Sequence, residues 1–253
     1  ARTAAALTST SGSRFLVSSR AGMGLKARAR AVQAVPVPGA ARQIAVRAVA
    51  SGGSLMSSEM SKLAAEVAEC KKCSLWETRT KAVFGAGDVN SEIVFVGEAP
   101  GYHEDKQGRP FVGAAGRLLD QLLESVGLAR DRVYIANILK SRPPGNRDPS
   151  PEEIEACKPY LEDQLRIINP KVLVPLGAFA SRVLLKKNAT MKDVHGRPFR
   201  VDGRTVFPVY HPAAALRSST SRETLEEDFR ALSVFLASGA NEERDEPTQT
   251  ALF

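Results

Sequence analysis

The chain has 253 residues, of which 43% are hydrophobic and 25% charged, with a formal net charge of +7. This is enough apolar side chain for one or two domains with a buried core. No apolar run reaches the roughly 18 residues that would suggest a membrane-spanning helix, so no membrane partner is expected. The charge is unevenly placed. Residues 1–58 carry no Asp or Glu and eight basic residues, leaving 27 basic against 28 acidic residues in the remainder. Global charge therefore does not argue for a nucleic-acid partner, which would need a local basic face.

The first segment is rich in Ala, Ser, Val and Arg and free of acids. That composition fits a transit peptide for a chloroplast or mitochondrion. The expected division is a leader over 1–57, a folded domain over 58–240 and a polar tail over 241–253. Three cysteines, Cys70, Cys73 and Cys157, form no even set for a secreted disulfide framework. The close pair suggests a metal or a reduced compartment.

A helix is expected from Ser58, with Leu63, Ala64, Val67 and Cys70 along one face, running into Cys70-Lys71-Lys72-Cys73. Residues 74–92 read as loop, with a short edge segment near Ala82–Phe84. Ile93–Val96 is a short apolar run and reads as a buried strand. It is followed by a polar loop, Gly97–Asp105, and by a helix from about Gly113 that carries Leu118, Leu119, Leu122 and Leu123. Gly127 is placed to end that helix. Val133–Ala136 is a second strand ending at Asn137. Pro143-Pro144-Gly145 forbids regular structure, and Pro149 and Pro151 precede a helix over Glu152–Ile168. A third strand, Val172–Leu176, leads through Gly177 into a helix to Leu185. A fourth, Thr205–Val209, ends at Tyr210-His211-Pro212, and a last helix spans about Arg222–Leu236.

Alternating strands and helices imply an α/β fold, a three-layer αβα sandwich around a small, mostly parallel four-stranded sheet. Such sheets bind ligands at the carboxyl ends of their strands. Right-handed crossovers would bring Gly97–Asp105, Asn137–Arg147 and His211–Arg217 together at that edge.

Three stretches at that edge carry a resemblance: GEAPGYHEDKQGRPFVGAAGRLLD from Gly97, NILK at Asn137–Lys140 followed by RPP, and YHPAAALR at Tyr210–Arg217. Together they resemble the iron–sulfur (family 4) uracil-DNA glycosylases over about residues 60–240. The resemblance implies removal of uracil from DNA by hydrolysis of the N-glycosidic bond, in base excision repair, by a monomer that flips the base out and uses water as nucleophile. A flipped base is read on its Watson–Crick edge and stacked on one face. Phe111 would then stack on uracil, and Asn137 would offer an acceptor and a donor to its edge. His211 would bond a uracil carbonyl oxygen and stabilise the anion that forms as the bond breaks. Backbone N–H groups at Ala99 and Gly101 would also reach the base. Ala99 stands where other glycosylase families carry Asp or Asn, so water handling falls to Glu98 or Glu104, with Asp105 third. Glu104 has the alternative role of walling off uracil C5. Arg142, Arg147, Arg197 and Arg217, with Lys140, are candidates for phosphate contacts. The loop Pro212–Leu216 would wedge into the duplex.

The resemblance further implies a [4Fe–4S] cluster on four cysteines. Cys70, Cys73 and Cys157 match three positions, and Ser141 occupies the fourth. Thiolate suits iron–sulfur clusters; a serine oxygen is a harder ligand. The tail Gln249-Thr250-Ala251-Leu252-Phe253 resembles the peptide that docks on bacterial-type sliding clamps. The related covalent uracil-trapping enzymes carry a longer, histidine-containing insert after the second strand, whereas Ser141–Ser150 here is short and lacks His. A reading from another class is a catalytically silent DNA-binding or redox-sensing module. Phe111, Asn137 and His211 together argue against it, since DNA binding alone needs no base-reading set.

Overall fold

The computed structural model describes residues 53–238. Residues 1–52 and 239–253, and with them most of the expected leader and the clamp-like peptide, lie outside the described residues. The first helix, α1 (Gly53–Glu69), begins five residues before the expected start. None of the described helices is long and apolar enough to cross a membrane.

One sheet forms the middle layer, with six strands where four were expected. The strands are β1 (Ala86–Gly87), β2 (Ile93–Gly97), β3 (Tyr134–Asn137), β4 (Val172–Pro175), β5 (Phe199–Val201) and β6 (Arg204–Val206). Their order is β1-β3-β2-β4-β6-β5. The inner four are parallel and correspond to the four expected strands; β1 and β5 are antiparallel edges.

Both edges escaped the sequence reading for a physical reason. The apolar run Ala82–Phe84 was the expected edge, but Val83 is fully buried and its N–H donates to Lys140 O at 2.7 Å. Pairing falls instead on Ala86–Gly87, where Gly87 has φ +127° and a Cβ would overlap the Val133 carbonyl. Only glycine permits that approach. At the far edge, β5 is a three-residue hairpin partner too short to show an alternating pattern. The ladder of β6 continues irregularly past Val206: Phe207 N donates to Leu173 O and Val209 N to Pro175 O, while Pro208 has no N–H to give.

The parallel strands are buried on both faces, as crossover helices require. Along β2, Val94 and Val96 face one core and Ile93 and Phe95 the other. The first core packs against α1, α4 (Pro151–Ile168) and α5 (Ala178–Leu185). The second packs against α3 (Ala114–Ser125) and α8 (Ser219–Ala237). This is the expected αβα sandwich. Helix α4 starts with a capping box between Ser150 and Glu153, with Pro151 in its first turn, a device of about 1 kcal/mol. Three short helices lie between the long ones: α2 (Tyr102–Gln107), α6 (Met191–Val194) and α7 (Pro212–Ala215). The first of these occupies what was read as loop.

The sheet has one feature that positions a site. Strand β2 has β3 on one side and β4 on the other, so the crossover from β2 to β3 and the one from β3 to β4 cross the sheet in opposite directions. That is the switch point at which open α/β sheets form a crevice.

Candidate active site

The register of the ladder sets the floor of the crevice. Gly97 at the end of β2 pairs with Asn137 at the end of β3. A Cβ on Gly97 would overlap Asn137 Oδ1 and come 2.8 Å from the Phe111 ring. The absent side chain therefore lets an amide and an aromatic ring meet at one strand end. Asn137 is 2% exposed, and its Oδ1 is the one buried side-chain polar atom among the described residues without a hydrogen-bond partner. Leaving such an acceptor unpaired costs about 1–3 kcal/mol.

Phe111 forms one wall. It has φ +50°, a backbone region unusual for a bulky residue. The distortion is held from behind: Gly116 of α3 lies so close that a Cβ would overlap the Phe111 carbonyl. Arg130 Nη2 donates to Pro110 O at 2.6 Å while its Nη1 pairs with Asp120. Strain of this kind, overdetermined by its surroundings, is characteristic of functional sites.

His211 lies opposite, its ring centroid 5.9 Å from that of Phe111. Gly177, with φ +88°, makes room for it, since a Cβ there would sit 2.8 Å from His211 Cβ. The ring caps α7: Nδ1 accepts from Ala213 N–H at 3.0 Å. An accepting Nδ1 carries no proton, so the neutral ring has its proton on Nε2. Burial pulls its pKa down from 6.5 to about 4, so near neutral pH the ring is an uncharged Nε2–H donor.

Behind His211 lies a group that sequence reading missed. Asp228 of α8 is buried, takes the Tyr210 N–H on Oδ2 at 2.9 Å and pairs with His195 Nδ1 at 2.7 Å. It anchors the backbone immediately before His211. An acid at a helical position normally reads as solvent-facing, and only its place between two apolar helix positions, Leu225 and Phe229, hinted at burial. His195 thus serves as a structural partner of Asp228.

The acids separate by environment. Glu98, directly after Gly97, is half-buried, and its carboxyl is pushed up, first by desolvation and then by the charge of Asp148. No hydrogen bond engages its side chain among the described residues. Glu104 is differently occupied: Oε1 accepts from Val112 N at 2.8 Å and Gly113 N at 2.9 Å. It ties α2 to the start of α3. Gly101 permits this, since a Cβ there would stand 2.7 Å from Glu104 Oε2. Asp105 is buried and accepts from Thr80 N. Ala99 is half-buried against the α1/α4 core.

The basic residues are scattered in role. Arg147 grips the buried Glu153 through two bonds of 2.6 and 2.9 Å and holds that carboxyl below its usual range. Arg142 donates to Asn146 Oδ1 at 2.6 Å. Arg197 and Arg217 are exposed and carry no ion pair among the described residues. Lys140, read as part of a basic surface, is buried at 2% exposure; Nζ donates to Asn137 O at 2.7 Å and Gln164 Oε1 at 2.6 Å. Burial lowers its pKa to about 8.

On the other side of Lys140 lies a second constellation. Cys70, Cys73, Ser141 and Cys157 line one small cavity, together with Arg79, Lys72, Trp76 and Tyr160. Cys157 Sγ accepts from Lys140 N at 3.1 Å, and Ser141 Oγ accepts from Arg79 Nη1 at 3.1 Å. Burial pushes the Cys73 and Cys157 thiols up, so a bound cation is what would hold them as thiolates. Among the described residues no three His, Cys, Asp or Glu side chains close on a single-ion site. Cys70, Cys73 and Cys157 nonetheless line one cavity. The donors this cavity offers include three thiols and the Ser141 hydroxyl oxygen.

The sequence pattern of the Uracil DNA glycosylase superfamily matches residues 84–233. The chain belongs to this superfamily. It is 49% identical over 180 residues to the Type-4 uracil-DNA glycosylase of Sulfurisphaera tokodaii, covering 68% of this chain and 82% of that protein. It is 49% identical over 173 residues to the Type-4 uracil-DNA glycosylase of Archaeoglobus fulgidus, covering 65% and 87%. The Type-4 enzyme of Saccharolobus solfataricus is 47% identical over 185 residues, covering 70% and 86%. The span 84–233 contains the ends of all four parallel strands and every wall of the crevice, whereas Cys70 and Cys73 lie before it.

Proposed function

We propose that the chain is a uracil-DNA glycosylase that hydrolyses the N-glycosidic bond of uracil in DNA. The observation that carries this reading is the unpaired, buried Asn137 Oδ1 set between Phe111 and His211. Uracil presents N3–H as a donor next to the O4 acceptor. Asn137 Oδ1 takes the first and its amide N–H the second. Cytosine presents an acceptor at N3, which would face Oδ1 with like polarity and leave it unpaired. A site built to hydrogen-bond one edge rejects analogues that lack it. Phe111 stacks on the base.

As the bond to the sugar breaks, negative charge develops on the uracil carbonyl oxygens. The His211 Nε2–H, fixed by the Ala213 bond, is a preorganised donor for that charge. The sugar becomes cationic, and Glu98 is the acid best suited to face it and to orient the attacking water. Glu98 has no other hydrogen-bonding duty, whereas Glu104 is engaged by two backbone N–H groups. Leu216, 49% exposed at the end of α7, supports a wedge role; Arg197 and Arg217 supply candidate phosphate contacts.

Cys70, Cys73 and Cys157 would hold an iron–sulfur cluster, with Ser141 at its fourth corner. When bound, the cluster supplies a covalent clamp between the end of α1, the strand β3 exit and α4. The acid-free composition of 1–58 supports delivery to a chloroplast or mitochondrion. The test is release of labelled uracil from an oligonucleotide with a single U, against the same sequence with C or T. Release from U alone supports the reading; no release by folded protein, or equal release from C, overturns it.

A further inference from the structure

The base pocket leaves one conspicuous feature of the same rim unexplained. Tyr102 opens α2, directly after Gly101, and is 52% exposed. A large aromatic in solvent contributes no core packing. Its surroundings are cationic. The Arg142 guanidinium lies over the ring at 5.3 Å and Lys106 Nζ at 5.8 Å. The exposed His103 ring meets its edge at 5.4 Å. Arg142 is itself fixed by Asn146. No carboxylate pairs with Arg142 or Lys106 among the described residues.

The two segments that meet here come from the two strands that build the pocket floor. Tyr102 follows the end of β2, and Arg142 lies five residues beyond Asn137 at the end of β3. Helix α2 also rests on the segment carrying Phe111, since a Cβ on Gly113 would touch His103 at 3.5 Å. The ring therefore stands on the rim of the crevice, at the level where the strand enters and leaves a flipped nucleotide.

We propose that Tyr102, backed by Arg142, is a stacking platform for the base next to the uracil on the same strand. The inference rests on the glycosylase reading and adds a second point of contact to it. Aromatic faces accept any base, and neighbouring cations hold the backbone phosphates; this pairing defines single-strand platforms. A duplex keeps the neighbouring base stacked within the helix, so the platform favours substrates in which that base is free to unstack. Single-stranded DNA is the occupant that fits. Lys106 is exposed, and its Nζ donates to Thr80 Oγ1 at 3.1 Å beside the ring, where its charge can meet a backbone phosphate.

The test is a cycle between protein and substrate. Single-stranded oligonucleotides carry one uracil, with an abasic spacer placed on its 5′ side, on its 3′ side or nowhere. Steady-state excision is measured for the wild type, Tyr102→Ala and Tyr102→Phe. For the wild type, one of the two spacers should raise KM about 5- to 150-fold, the range for one base–aromatic stack. Tyr102→Ala should raise KM on the unmodified oligonucleotide by a similar factor, with kcat unchanged and no further loss from that spacer. Tyr102→Phe should behave as wild type. If the spacer and Tyr102→Ala penalties multiply, or if Tyr102→Ala leaves KM unchanged, the platform is wrong while the glycosylase stands. If the wild type releases no uracil from the unmodified oligonucleotide, the glycosylase reading falls and takes the platform with it. Tyr102 is exposed, so its truncation should leave the melting temperature unchanged; a fall would assign the ring a structural role and overturn the proposal.

Discussion

The base pocket and the thiol cavity are lined by residues as close in the chain as Asn137 and Ser141, yet they are held in different ways. Asn137 and Glu98 sit at or next to strand ends, His211 follows the end of the β6 ladder, and Phe111 lies between α2 and α3. The β2–β3 register fixes Gly97 beside Asn137, and Gly97, Gly116 and Gly177 remove the side chains that would otherwise keep the parts separated. The cavity is gathered from the end of α1, the exit of β3 and the middle of α4. Around Cys70–Cys73 the irregular backbone makes local bonds, Cys70 N to Val67 O and Trp76 N to Cys73 O. A ladder presets a polar site without help. A site joined by side chains alone depends on what binds between them. Lys140 is the physical link: its N–H serves Cys157 Sγ and its Nζ serves the Asn137 carbonyl.

The comparison breaks if changes to the pocket alter iron binding, or changes to the cavity alter base recognition. The largest effect is expected for Glu98→Gln. Loss of a carboxylate that handles water should lower single-turnover excision about 100- to 10,000-fold, the span of general acid–base effects, with iron content unchanged. The sign of its pH dependence follows from the raised pKa. The active form is the carboxylate, so excision by the wild type should fall as pH drops through a value above the ordinary glutamate range of about 4.3. The Gln variant should lose that limb.

His211→Ala should lower excision about 100- to 1000-fold, as for one lost oxyanion donor, with duplex affinity retained. His211 also makes a prediction about stability. Its pKa is about 4 when folded and about 6.5 when unfolded. The unfolded chain therefore binds the extra proton between these values. The contribution is fully present above the unfolded value and is lost as pH falls toward the folded one. Urea midpoints of the wild type should show this slope between the two values, and His211→Ala should flatten it. A charged imidazole would instead give excision that declines as pH rises through the usual histidine range.

Asn137→Ala should weaken excision of uracil about 5- to 150-fold, from one to three kcal/mol of hydrogen bonding; full activity would remove the base-reading role. Lys140→Met is the change expected to reach both sites. It strands the Asn137 carbonyl and Gln164 Oε1, at about 1–3 kcal/mol for each unpaired acceptor. It should lower the unfolding free energy, iron content and uracil affinity together. An effect on excision alone would show that the cavity is independent of the pocket.

The smallest effect on catalysis is expected from Ser141→Cys. Completing four thiols should make bound iron harder to strip with a chelator in protein purified without oxygen, and should raise thermal stability, while excision stays as in wild type. A change in excision without a change in iron would tie Ser141 to the pocket instead.

Local chemistry determined much of this molecule. Runs such as Ile93–Val96 and Val172–Leu176 are apolar at every position because helices cover both faces of a parallel sheet, and this marked the inner strands. Proline and glycine marked the ends of the strands and the start of α4. The motif residues Phe111, Asn137 and His211 were legible through the family resemblance of the stretches that carry them; the structure adds why two of them meet, since Gly97 has no side chain to keep Asn137 and Phe111 apart. Tertiary structure decided what depends on distant partners. Glu104 became a loop tie because Val112 and Gly113 present their N–H groups to it. Lys140 turned inward because Asn137 and Gln164 supply acceptors for a charge that the sequence alone assigns to water. Asp228 was recruited behind His211 from 17 residues farther along the chain. Sequence carries the preference of each side chain for water, apolar surroundings or a turn. Which partner satisfies a buried polar group is settled only when the chain closes, since that choice depends on geometry summed over the whole fold.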